Sequence, residues 1–200
     1  KYLSKIPIGF SIISVTQIVL FFLGILSFSY LTAWFFIGLF ITGRFLKKTN
    51  ALYTASGKAK ETFKQYHLLL NEIEDETFIA KNLVDNQAII QSENKKASKI
   101  FKEFSKILDA FDNRNNIIIA VLGNGLFLWD ILNACKVEKW IEKYKHTVEN
   151  WFEVVAYFDS QNSLANFKFN HPTFVFPEIS SENEVMNATN LGHPLLKADN

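Results

Sequence analysis

The feature that most constrains this chain is a gap in its charge. No Lys, Arg, Asp or Glu lies between Lys5 and Arg44, so Ile6–Gly43 is a run of 38 uncharged residues. It contains Ile18-Val19-Leu20-Phe21-Phe22-Leu23 and Trp34-Phe35-Phe36-Ile37-Gly38-Leu39-Phe40-Ile41. A soluble surface helix keeps a polar face toward water, and this run offers none. As a single helix, 38 residues would be about 57 Å long, too long for a hydrocarbon core of about 30 Å. Two spans fit better, at about 6–24 and 28–46, with Gly24, Ser27 and Ser29 making the turn. Tyr30 and Trp34 beside that turn suit a membrane–water interface. Lys1 and Lys5 flank one outer end, Arg44, Lys47 and Lys48 the other, and none sits at the turn. The positive-inside rule then puts both ends in the cytoplasm. Residues 1–48 therefore read as a hairpin anchored in the inner (cytoplasmic) membrane through residues 6–43. A secretory signal is a poorer reading, because no small-x-small cleavage site follows the first apolar run and a second run does. The alternative is a pair of core helices in a soluble bundle.

The formal net charge of +1 joins two unlike parts. Residues 1–50 carry five basic and no acidic residues, whereas 51–200 carry 16 basic and all 20 acidic ones, a net of −4. Cys135 is the only cysteine, which excludes a disulfide scaffold. Eight Gly and four Pro exclude collagen-like and low-complexity classes. There is no basic tail of the kind that binds nucleic acid. The chain starts at Lys1 and stops at Asn200 on no evident boundary, and reads as a fragment of a longer protein.

From Ala51 the pattern turns helical and amphipathic. Ala51–Phe78 is expected as one long helix, with Phe63, Tyr66, Leu69, Leu70 and Ile73 on one face, running on from the second span. Ala80–Gln91 is a shorter helix and Ser92-Glu93-Asn94 a turn. Lys95–Phe111 is the strongest helix, with Ile100, Phe101, Phe104, Ile107, Leu108 and Phe111 along one face, broken by Asp112–Asn116. The uncharged stretch Asn115–Trp129 has 15 residues, short for a span and more typical of a buried core helix. A long helix to about Phe158 follows. Its near-heptad stripe of Val137, Trp140, Ile141, Tyr144, Val148, Trp151, Phe152 and Val155 suits packing along a partner helix. Near the end, Phe174–Pro177 reads as extended and Glu184–Asn190 as a strand, where prolines exclude helix. The fold class is mainly α: the hairpin, a helical core over 49–183, and a short β segment over 184–200.

Catalytic chemistry is hard to build from these residues. His67, His146, His171 and His193 show no metal-ligand spacing. Neither G-x-S-x-G nor a Walker A sequence occurs. Gly123-Asn124-Gly125 lacks the strand and third glycine of a dinucleotide fingerprint, so its glycines read as aids to close helix packing or a kink. Cys135 reads as a structural thiol and the run Glu72, Glu74, Asp75, Glu76 as a solvated face or turn.

The last third carries an ordered set of short motifs. Asp159-Ser160-Gln161-Asn162-Ser163-Leu164-Ala165 ends a helix, Asn170-His171-Pro172 and Phe174–Glu178 follow, and Gly192-His193-Pro194-Leu195-Leu196 closes the series. This order resembles the core helical domain of the MutS family, where a D-x-x-x-S-L-A helix end precedes a G-x-H-P-L strand. Asp112–Asn116 followed by Leu126–Asp130 is similar to small membrane-associated bacterial members that lack the mismatch-reading domain. The resemblance spans roughly 45–200.

It implies that Gly192, His193, Pro194 and Leu195 lead into an ABC-type ATPase domain beyond Asn200, which would bind ATP and Mg. It also implies a homodimer that clamps duplex DNA, with the long helices as levers between clamp and ATPase. Phe101-Lys102-Glu103 matches the family's Phe-x-Glu wedge in letters only, since Phe101 falls on an apolar helical face. No catalysis is expected of this chain itself; the longer protein would be an ATPase of the DNA mismatch repair family. The rival is a membrane-anchored scaffold that binds a partner helix through the 137–155 stripe.

Overall fold

The computed structural model describes residues 5–179, 186–189 and 191–193. Pro7 in the first turn of α1 (Ile6–Phe22) needs no N–H there. The chain reverses at Gly24, whose φ of +73° lies where a side chain is disfavoured. Ser27 Oγ then accepts the Ser29 N–H and opens α2 (Phe28–Gly57). The expected turn is found. α2 is one uninterrupted 30-residue helix, so the expected limit between residues 48 and 49 falls inside it.

The chain divides into two compact units, Lys1–Ser160 and Gln161–Asn200. In the first, α3 (Lys60–Asp75) is a separate helix after a break at Lys58-Ala59, which corrects the single helix expected over Ala51–Phe78. Phe63, Leu70 and Ile73 are buried as expected, but Leu69 is half exposed and lies off the packed face. After α4 (Lys81–Ile90), α5 (Ala97–Asp112) runs antiparallel to α3. Lys60 at the start of α3 holds Asp109 at 2.7 Å and also Asp112 at the end of α5. At the opposite end Lys96 holds Asp75 at 2.5 Å. The carboxylates of Asp109 and Asp112 hold the Lys60 ammonium above the usual lysine range.

Between these ends the core is aromatic. Phe63 meets Phe101 and Phe104 edge-on at 4.8 Å, and Phe104 stacks on Trp140 at 3.9 Å. Such pairs each add about 0.5–1.5 kcal/mol beyond area burial. Phe101 is fully buried, so the Phe-x-Glu letters belong to the core.

The helix expected to run through to Phe158 is two helices, α7 (Trp129–Tyr144) and α8 (Val148–Asn170). The chain turns at Lys145–Thr147, where the Thr147 N–H donates to the Tyr144 carbonyl. The reversal folds most of the apolar stripe onto the chain's own core, with Ile141 left exposed. Val137, Trp140, Tyr144, Trp151 and Val155 are all buried there.

The described residues contain no strand. Phe174–Pro177 has no regular structure; Phe174 lies 5.9 Å from Phe167 and 4.9 Å from His171 between ring centroids. Lys168 donates to the carbonyls of Pro172 (3.0 Å) and Phe174 just past the end of α8. Of the strand expected over Glu184–Asn190, Met186–Thr189 are not extended into a ladder, and Glu184, Val185 and Asn190 lie outside the described residues.

Candidate membrane interface

The hairpin has its polarity reversed relative to a water-soluble helix pair. Its buried positions include the small residues Ser14, Gly38 and Thr42. Apart from Phe10, which is buried, many of its large apolar side chains point away: Ile12, Phe22, Phe36 and Phe40 are 62%, 81%, 61% and 78% exposed. Small residues between helices let backbones approach, as in membrane helix pairs. The hairpin is closed by a Phe10–Trp34 stack at 4.3 Å and by Trp34 Nε1 donating to Ser14 Oγ at 2.8 Å. Trp34 is therefore a strut between the two helices, and Tyr30 is exposed near the turn.

Hydroxyls on outward faces bond within their own helix. Thr16 donates to the Ile12 carbonyl and Thr32 to the Phe28 carbonyl, each at 3.0 Å. This satisfies polar atoms without water. α2 is long and apolar enough to cross a membrane; α1, with 17 residues, is shorter. The basic residues Arg44, Lys47 and Lys48 on α2 are exposed.

A third apolar piece lies against this hairpin. A π-helical turn, Ile119–Gly123, leads into the short α6 (Asn124–Phe127). A Cβ on Gly38 would collide with the Gly125 carbonyl, and one on Gly125 with the Phe35 ring. The two backbones touch, so these glycines serve close packing. The stretch is not the buried core helix expected: Ile117, Ile118 and Leu122 are 77%, 63% and 51% exposed. Its other face is held by α2, which leaves these side chains outside.

A polar cluster closes the base of this piece. Arg114 Nη2 binds Asp130 Oδ2 at 2.9 Å and Asn50 Oδ1 at 2.5 Å, and its guanidinium lies over Tyr53 and Phe111. Both charged side chains are largely buried, at 11% and 3% exposure. Asn124 Oδ1 accepts the Asp130 N–H at 2.9 Å. Burial pushes the Asp130 carboxyl above its usual range, against the opposing pull of Arg114 and Asn124. The sequence read Arg114 only as part of a helix breaker; the cue was that Arg114 and Asp130 are the charges bounding the uncharged stretch.

The other candidates resolve as structure. Cys135 is half-buried beside Phe10, Leu128 and Ile131, and burial and Glu138 raise its thiol, the opposite of an activated nucleophile. Glu74 is buried, not part of a solvated face: it accepts the Ser98 N–H at 3.0 Å and the Ser98 hydroxyl at 2.5 Å at the start of α5. Gly192 and His193 are exposed and in no regular element, and a Cβ on Gly192 would meet nothing; Pro194 and Leu195 lie outside the described residues. Among the described residues no group of three or more His, Cys, Asp or Glu could hold a metal ion.

Comparison of the chain with protein-family models, with curated proteins and with solved structures gave no match in any of the three.

Proposed function

We propose that this chain is the membrane anchor and helical lever of a MutS-like, DNA-binding ATPase, held at the inner membrane with its helical body in the cytoplasm. The observation that carries the anchor is the reversed polarity of the hairpin, with Ser14, Gly38 and Thr42 inside and Ile12, Phe22 and Phe40 outside. A soluble bundle would waste that apolar area on water, at about 25 cal/mol per Å². The lever is supported by α2, a single helix from the apolar hairpin to the aromatic body.

The MutS-like part of the reading rests on the motifs of 151–196. In it, a following ATPase domain binds ATP and Mg, a homodimer clamps duplex DNA, and the helices pass nucleotide state to the clamp. The net charge of −4 over residues 51–200 leaves most phosphate contact to other parts of the protein. The rival scaffold keeps less of its partner-binding stripe, because Val137, Trp140, Tyr144, Trp151 and Val155 pack into the chain's own core and Ile141 stays exposed.

The test uses the protein with its following domain, purified in detergent with Mg. The reading expects ATP hydrolysis and retention of duplex DNA that changes with nucleotide. A protein that neither hydrolyses ATP nor holds DNA would sink it.

A further inference from the structure

We propose that residues 116–128 form a re-entrant segment that dips into the bilayer beside the hairpin and meets lipid acyl chains through Ile118 and Leu122. The inference rests on the membrane reading of the hairpin and adds a third membrane-embedded element. Depth follows from contact. Gly125 touches Gly38 backbone to backbone, so wherever α2 places Gly38, α6 goes too. Gly38 is ten residues into α2, about 15 Å from the hairpin turn, near the middle of a hydrocarbon core of about 30 Å. On α1, Ser11 Oγ, which donates to the Pro7 carbonyl at 2.8 Å, lies only 3.3 Å from the Phe127 carbonyl, so the end of α6 also sits against α1.

The segment enters and leaves on one side. Arg114 and Asp130, the charges that bound the uncharged stretch, bind each other and reach Asn50. Asn50 lies beyond Arg44, Lys47 and Lys48, on the charged side of α2. A segment that crossed the bilayer would leave its bounding charges a full membrane apart.

Backbone groups left open at a helix start or a π turn at membrane depth have to be satisfied by protein. Here the Ile118 N–H donates to Asn116 Oδ1 at 2.9 Å. At the π turn, Asn124 Nδ2 donates to the Ala120 carbonyl at 2.8 Å, while its Oδ1 takes the Asp130 N–H. The outward side chains Ile117, Ile118, Val121 and Leu122 carry no polar atom, which fits acyl chains.

The full chain with Cys135→Ser carries one cysteine at a time, at Leu122, Ile118, Phe36 or Lys106, labelled with an environment-sensitive fluorophore. It is reconstituted in phosphatidylcholine–phosphatidylglycerol vesicles and quenched either by doxyl groups on acyl chains or by iodide from water. All four side chains are exposed, so labelling leaves the packing intact. The expected result is blue-shifted emission lost to doxyl lipid at Leu122, Ile118 and Phe36, and iodide quenching at Lys106 alone. Iodide quenching at Leu122 and Ile118 with doxyl quenching at Phe36 would overturn the re-entrant segment and leave the hairpin standing. Labels at 122 and 118 reached by neither quencher would overturn it in favour of a protein partner on that face. Iodide quenching at Phe36 would remove the membrane reading and the inference with it.

Discussion

Arg114 and Asp130 meet at 2.9 Å where α2, α5 and α7 converge, and fix both ends of the apolar segment between them. Removing one partner of a buried pair leaves the other charge uncompensated, at about 3–5 kcal/mol. Arg114→Leu is expected to fall in that range, and Asp130→Asn to cost less, because Arg114 keeps Asn50 and two aromatic faces. Denaturant unfolding in detergent micelles checks the order. The Asp130 carboxyl is raised from 3.8, so the native state holds its proton more readily than the unfolded chain. Its contribution to stability therefore falls as pH rises from the ordinary carboxylate range through the raised value, then levels. Asp130→Asn should remove that fall, and Arg114→Leu, which takes away the opposing cation, should extend it to higher pH.

Gly38 and Gly125 should not tolerate a side chain. Gly38→Ala places a methyl group on backbone, which cannot rotate away, and overpacking of this kind costs about 1–3 kcal/mol. Gly43→Ala, in the same helix with open space around it, should be neutral or stabilising by up to about 1 kcal/mol. Thermal unfolding of the two variants in micelles decides it. Equal losses would mean that α2 and α6 do not touch as described.

Leu128 joins α6 to α7 with φ +50° and ψ +46°, and its side chain is fully buried against Phe10 and Ile131. A non-glycine residue there carries about 1–2 kcal/mol of strain. Both Leu128→Ala and Leu128→Gly lose the packing, but only glycine relieves the backbone. The glycine variant is therefore expected to be the more stable of the two, by about 1 kcal/mol, the reverse of their order inside a helix.

Glu74 and Glu72 stand close in sequence and should differ sharply. Glu74→Ala strips the buried Ser98 N–H and hydroxyl of their acceptor and removes a negative charge from the N-terminus of α5, a loss of about 1–3 kcal/mol. Glu72 is exposed, and Glu72→Ala should stay within about 0.5 kcal/mol. Urea titration of each variant gives the comparison.

These residues also mark what could be read from the sequence. α5 was legible to within two residues at either end, because Ile100, Phe101, Phe104, Leu108 and Phe111 repeat on one face and polar residues end the helix. The hairpin turn was legible because Gly24 and Ser27 have backbone roles that other residues fill poorly. Periodicity names a buried face, though not what covers it. The 137–155 stripe reads as a surface for a partner, yet the turn at Lys145–Thr147 folds most of it inward and leaves Ile141 exposed. That turn has no Pro or Gly to announce it, and neither does the left-handed Leu128. Glu74 was hidden for a related reason: its partner Ser98 lies on another helix, so no local pattern connects them. The segment 116–128 was recognised as apolar, but its exposed outer face depends on α2 occupying the opposite one.

The central claim is that Ile6–Gly43 faces lipid. Alkaline carbonate extraction of membranes from cells making the full chain tests it most directly, because carbonate strips peripheral proteins and leaves embedded helices in place. The chain should remain with the membrane pellet and be released only by detergent. Its appearance in the carbonate supernatant would contradict the account, and would return α1 and α2 to the core of a soluble bundle.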